Sequence, residues 1–457
     1  MMSGFIIGFW LLLLICGLLF WYTRQTIPSV GDANFRKFQR TYLVVYLFAT
    51  AADWLQGPYV YALYDHYGMS QYDIEILFVA GFGSSMLVGT FVGSVADKYG
   101  RRANCVLYGI LYGLACITKH FNNFWILMLG RLLGGTATSI LYSAFESWLI
   151  CEHNKRGFDQ DLLSTIFSHA VLGNSVVAIF SGVIAQQCAD VFGYVSPFDL
   201  SLVMLIIMTI ITMVTWSENH GDRTGDVSKS FKDAIHAIKS DHKILCLGLI
   251  QALFEGAMYT FVLEWTPALT PPKPVVPAAG SVTDEGNDGH RGTIPHGYIF
   301  AAFMVAIMIG SSLFKILNKH IAVESFMRFV LLAAALSLLT PVLFPFNQPV
   351  IFCGFLVFEA CVGIFWPSLS TMRGKYVPEE TRATIMNFFR VPLNLIVVVI
   401  LVQDMNMSVI FVCCFVFLIL STISQQWLFM LKSNVVKMDK ARTNDRARLM
   451  GEEEEEA

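Results

Sequence analysis

Thirteen apolar runs, most of them close to the thickness of a bilayer in helical length, constrain this 457-residue chain more than any other feature. They fall near 3–22, 41–62, 74–95, 103–119, 124–150, 163–188, 199–216, 244–267, 297–317, 326–346, 349–371, 384–403 and 407–431. A hydrocarbon core about 30 Å thick takes roughly 20 residues of α-helix to cross. In lipid, only a helix or a closed barrel satisfies its own backbone groups, so runs of this length predict transmembrane helices. The charge content agrees, at 14% against about 25% in soluble domains. Pro341, Pro345 and Pro349 blur the boundary between the tenth and eleventh runs.

Lysine and arginine set the orientation, because they are retained on the cytoplasmic side. Of 31 basic residues, 26 lie in alternate connections that share one side, and Lys119, Lys273 and Arg291 lie on the other. Arg131 and Arg390 sit inside apolar runs. The expected topology therefore has a cytoplasmic C-terminus. The first run has no basic stretch before it and no small-residue cleavage site, so it reads as a retained helix with an extracellular start. The other twelve divide six and six about a long polar connection. The expected units are 1–40 (first helix and basic linker), 41–216, a cytoplasmic linker 217–243, 244–431, and a cytoplasmic tail 432–457. Residues 270–296 are rich in proline and glycine and read as an outer loop without regular structure.

Several chemistries find no support. There is no metal-ligand spacing, no phosphate-cradling glycine loop followed by Lys and Ser or Thr, and no nucleophile elbow. No enzyme, metal or other cofactor is expected. The acidic run 452–456 reads as a solvated tail, and nothing suggests nucleic acid or an obligate protein partner. The surrounding partner is membrane lipid, and the cysteines, lying mostly in apolar runs, read as packing residues. The plasma membrane is the expected location, although no address signal marks it.

The connection 93–102, GSVADKYGRR, follows a run without charge. Its Gly93, Asp97, Gly100, Arg101 and Arg102 resemble the signature that major facilitator proteins carry between their second and third core helices. The resemblance implies an all-α major facilitator fold: twelve core helices in two six-helix bundles, here with one extra N-terminal helix. It also implies that these five residues form a latch between the bundles. Residues 314–320, FKILNKH, keep the bases of a second copy but lack its Asp and Gly, so the latch is expected to be one-sided. The stretches AADWLQGPYVYALY (51–64), SAFESWLICEH (143–153), QALFEGAMYTFVLEWTP (251–267) and NFFRVPL (387–393) resemble the molybdate-anion transporter branch of that superfamily. That likeness alone implies molybdate, a small dianion, as substrate. The expected activity is secondary active uptake by alternating access, driven by a gradient and not by ATP. A proton-coupled carrier of an organic solute and a non-transporting membrane sensor or scaffold remain alternatives.

Charges inside spans are costly and usually face the bundle interior, which gives a list of site candidates. Arg390, ahead of Pro392, is the first choice for anion contact, because a guanidinium fork suits an oxyanion. Arg131, in GRLLGG roughly 10 Å from the outer end of its helix, either contacts substrate or holds an interior ion pair. Gln56, Asn387 and Asn394 add hydrogen-bond donors. Asp53, ahead of a helix break expected at Gly57–Pro58, either carries a proton or pairs with an arginine. Glu255 holds a matching depth in the second half, and Glu359, near mid-membrane, is a third proton candidate that could pair with Arg390. His169 and Asn174 read more simply as satisfied packing polars, and Glu146 and Glu264 as residues near the ends of spans.

Overall fold

The structure, a computed structural model, describes residues 2–23, 33–220, 227–270, 294–377, 385, 389 and 405–455. Within them, side chains are described except at 2–3, 89–98, 160–161, 164, 227–231, 233–234 and 433–455. All regular structure among the described residues is helical: α1 Met2–Thr23, α2 Ala33–Gln56, α3 Val60–His66, α4 Gln71–Tyr99, α5 Arg101–Thr118, α6 Phe124–Leu141, α7 Ala144–Lys155 and α8 Gln160–Phe192. The chain continues through α9 Ser196–Thr215, α10 Val227–Ser240, α11 His242–Leu269, α12 His296–His320, α13 Val323–Leu338, α14 Thr340–Leu343, α15 Gln348–Tyr376 and α16 Met407–Glu455.

Nine helical segments among the described residues are long and apolar enough to cross a membrane. The run near 384–403 lies outside the described residues except for Ile385 and Phe389, and the loop 271–293 lies outside them entirely. Two of the three prolines at this boundary stand at helix starts, where a missing N–H is tolerated, and Pro345 lies in the turn between α14 and α15. Pro341 opens the short α14, and Pro349 stands in the first turn of α15. The polar linker forms a helix, α10, as its composition allows.

Two apolar cores organise the helices. One is built from α2 to α9, around Tyr42, Tyr108, Phe145, Trp148 and Phe198. The other gathers α11, α12, α13, α15 and α16 around Phe254, Phe261, Phe303 and Phe355. The first helix joins the second core although it precedes the first in sequence: Phe5 meets Phe352 edge-on at 4.9 Å, and Phe9 meets Tyr298 at 5.9 Å. Its other face leaves Trp10, Leu14, Leu18 and Trp21 exposed, as a lipid-facing surface requires.

The side of the bundle that carries Gly100 and the linker is here called the basic side. On that side, Glu324 in the first turn of α13 ties the second bundle together. It is 3% exposed and accepts from Lys375 Nζ at 2.7 Å, the Tyr376 hydroxyl at 2.6 Å and Lys432 Nζ at 2.9 Å. Both lysines reach water, so breaking the cluster costs less than breaking a fully buried pair. Glu324→Gln is expected to destabilise the protein by about 1–3 kcal/mol, read as a lower melting midpoint in detergent; an unchanged midpoint would refute the clasp.

Among the described residues, the bundles touch from mid-membrane toward the opposite side. There α8 and α12 cross backbone to backbone at Gly182 and Gly297, and the Gly297 N–H donates to Gln186 Oε1 at 2.8 Å. A β-carbon at Gly297 would stand 2.2 Å from the Gly182 carbonyl oxygen. Trp54 against Phe300 at 5.9 Å, Tyr59 against His296 at 5.7 Å and Phe82 against Tyr259 at 5.2 Å extend the seam.

Candidate functional site

The α2 helix stops at Gln56, and a 3-10 turn, Gly57–Tyr59, carries the chain into α3, so the break expected at Gly57–Pro58 is present. Just before it, Asp53 is half-buried and accepts from the Tyr112 hydroxyl of α5 at 2.7 Å. No arginine pairs with it among the described residues; Arg390 lies outside them. Next to it, the Trp54 indole donates to Asn174 Oδ1 at 2.8 Å, and Gln39 meets His169 Nδ1 at 3.0 Å. Asn174 and His169 thus bond α8 to α2, as packing polars do. Gln56, expected among the substrate donors, is 4% exposed. Its amide donates to Ser201 Oγ at 3.0 Å and to the Ala52 carbonyl at 3.3 Å, so its donors bind α2 to α9 in this arrangement.

Arg131 in α6 leans on α4. Its Nε donates to the Leu77 carbonyl at 3.2 Å, and its guanidinium carbon lies 4.5 Å from the Phe78 ring centre. No carboxylate pairs with it among the described residues. A helix places Leu77 and Phe78 on adjoining faces, which lets α4 offer a carbonyl and a ring to one side chain.

The second bundle differs. Glu255 is 4% exposed, accepts from Gln251 Nε2 at 2.8 Å, and lies 3.9 Å from Arg373 Nη2. Asp53 and Glu255 therefore hold unlike partners, a hydroxyl in one bundle and a guanidinium in the other. By hydropathy Arg373 belongs among the loop bases, whereas α15 runs on to Tyr376 and the arginine turns back into the bundle with its side chain 18% exposed. A signal for this exists in the sequence: residues 372–377 hold no proline that would stop the helix before Pro378, and a long arginine stem can snorkel. Glu359 is buried at 5% exposure, and no described residue hydrogen-bonds or ion-pairs with it. Arg390, Asn387 and Asn394 lie outside the described residues, and with them the expected Glu359–Arg390 pair. Glu146 is exposed, while Glu264 is 2% exposed with no partner for its Oε2.

The glycine-arginine turn is built as a cap. Gly100 adopts φ +110°, a conformation that L side chains rarely take, and so starts α5. There the carboxylate of Glu218 accepts from the backbone N–H groups of Arg102 at 2.9 Å and Ala103 at 3.2 Å, satisfying donors that a helix start leaves open. Arg101 donates to the Ser147 carbonyl at 3.0 Å and Arg102 to the Trp216 carbonyl at 3.2 Å. These contacts tie α5 to α7 and to the segment after α9. Gly93 and Asp97 fall in α4, and the side chain of Asp97 is outside the description.

Residues 4–365 match the family described as sugar transporters with 12 transmembrane spans. The chain is 33% identical over 378 residues to the molybdate-anion transporter of Xenopus tropicalis, covering 80% of this chain and 79% of that one. It is 32% identical over 423 residues to the molybdate-anion transporter of Takifugu rubripes, covering 84% of each. Among solved structures, the nucleoside transporter NupG superposes with TM-score 0.62 at 13% identity, over 86% of this chain and 98% of that one. A point mutant of the peptide transporter POT, in complex with alafosfalin, superposes with TM-score 0.66 at 13% identity, over 87% and 94%; these two speak for the fold alone. With an all-helical multi-pass architecture and relatives matched along four-fifths of their length, the chain belongs to the major facilitator superfamily, in its molybdate-anion transporter family.

Proposed function

We propose that this protein is a secondary active transporter that carries molybdate inward across the plasma membrane by alternating access, with the basic side in the cytoplasm. The observation that carries the proposal is the similarity, over about four-fifths of the chain, to proteins named molybdate-anion transporters. The geometry supports it. The two bundles, proposed as units 41–216 and 244–431 joined by 217–243, meet on the side away from the bases through a backbone-tight crossing. That is the arrangement expected of an outward-closed state. Arg131, with no described counter-ion, and Arg390, on the twelfth run, are the proposed anion contacts, with Asn387 and Asn394 as donors. Asp53 and Glu359, whose carboxyls meet no cation among the described residues, are proposed to carry protons, and Glu255 to trade its proton against Arg373. The turn Gly93, Asp97, Gly100, Arg101 and Arg102 is proposed as a latch that engages the second bundle only when the outer side opens.

Purified protein in lipid vesicles tests this by mass-spectrometric uptake of molybdate with sulfate as competitor. Wild-type protein is expected to accumulate molybdate, and an imposed pH step to change the rate. Asp53→Asn is expected to remove most of that response while leaving the protein folded. Equal molybdate flux in vesicles with and without protein would refute the transport reading, and an unaltered pH response in Asp53→Asn would remove Asp53 from coupling.

A further inference from the structure

Two basic side chains on the outer part of the first bundle, Lys119 and Arg131, have no carboxylate partner among the described residues. Lys119 follows the last residue of α5 and is 2% exposed. Its ammonium donates to the Tyr64 hydroxyl and lies 4.7 Å from the Tyr64 ring centre and 5.8 Å from that of Phe198. Its carbonyl accepts from the Tyr67 hydroxyl at 2.5 Å, which anchors the backbone from which the side chain enters. Arg131 belongs to the same cluster. Tyr64 meets Phe78 edge-on at 6.3 Å, and Phe78 lies under the guanidinium. Gly81 leaves the guanidinium its space, since a β-carbon there would stand 2.7 Å from Nη2. No aspartate or glutamate pairs with Lys119 or Arg131 among the described residues.

A buried cation without a counter-ion is held against a desolvation penalty. An arriving anion would offset that penalty and favour the charged form of the lysine. We propose that Lys119, Tyr64 and Arg131 form an outer antechamber for a tetrahedral oxyanion dianion, Arg131 contacting it through its Nη groups and Lys119 acting as the buried positive charge beneath. The inference rests on the oxyanion reading above and deepens it. Two cations favour a dianion over a monovalent anion, and the aromatic walls of Tyr64, Phe78 and Phe198 exclude water, which strengthens the attraction. Lys119 is a positioning charge here, and Arg131 the residue that touches the ligand.

The test uses full-length protein, with molybdate binding measured by calorimetry in detergent and uptake in vesicles, against sulfate and nitrate as competitors. Lys119→Met is expected to raise both the dissociation constant and KM for molybdate about tenfold with the maximal rate within about twofold, the signature of lost uniform binding. Lys119→Arg is expected to restore most of the affinity, which a purely structural lysine need not do. Arg131→Gln, at a part-exposed position, is expected to weaken binding at least as much and serves if Lys119→Met fails to fold. Sulfate should compete and nitrate should not. Wild-type affinity in folded Lys119→Met or in Arg131→Gln, or equal competition by nitrate, overturns the antechamber while wild-type uptake keeps the transport reading. Absence of molybdate binding and uptake in the wild type overturns both.

Discussion

Gly297→Leu is expected to cut molybdate uptake at least about tenfold while the protein still folds. The two backbones at the α8–α12 crossing leave no space for any side chain, since a β-carbon at Gly297 would lie 2.2 Å from the Gly182 carbonyl oxygen. That neighbour is backbone and cannot rotate away, so the helices must part by about 1 Å or more, and close-packed interfaces tolerate little of that. Each bundle keeps its own core. What is lost is the contact between them, and with it the outward-closed state that transport requires. The same parting should expose Cys188, which is half-buried on α8 near the crossing. A membrane-impermeant maleimide applied from outside should therefore label Cys188 faster in Gly297→Leu than in wild type, with Cys188→Ser as the control. Normal uptake and unchanged labelling would mean that this crossing does not take part in the cycle.

Arg373→Gln is expected to lower uptake about a hundredfold, the second large effect. The substitution leaves the carboxylate of Glu255, 4% exposed, without the guanidinium 3.9 Å away. Removing one partner of a buried pair typically costs about 3–5 kcal/mol. The carboxyl escapes part of that cost by taking up a proton, which would bias the helix pair α11 and α15 toward one arrangement. A double substitution separates the roles. If the pair only stabilises the bundle, Glu255→Gln with Arg373→Gln should recover both thermal stability and uptake. If Arg373 also meets the anion or gates the proton on Glu255, stability should return and uptake should not. Wild-type uptake in Arg373→Gln alone would remove the pair from the mechanism.

These two residues differ in how far the chain alone could reveal them. Gly297 opens a span whose limits by hydropathy, 297–317, agree with α12 to a few residues, yet nothing in that run says which other helix its first turn approaches. Arg373 lies two residues beyond the apolar run 349–371, because apolarity stops there and the helix does not. Asp53 and Arg131 are both legible as intramembrane charges. Their partners are not: a tyrosine hydroxyl for the first, a carbonyl and an aromatic ring for the second, where ion pairs were the alternative. Lys119 closes an apolar run and reads, from sequence, only as one of three outer bases.

Hydropathy, the one-sided placement of lysine and arginine, and a short run of glycine, aspartate and arginine were sufficient to determine a multi-pass helical bundle and its superfamily. Each of those signals is local, because bilayer thickness and charge retention act on one span or one loop at a time. Which charge meets which partner was decided only by the tertiary structure. A helix can turn about its axis and slide along its neighbours without any change in its own hydropathy, and the fate of Glu255, Arg373, Lys119 and Gly297 depends on that rotation and on how closely the two bundles close.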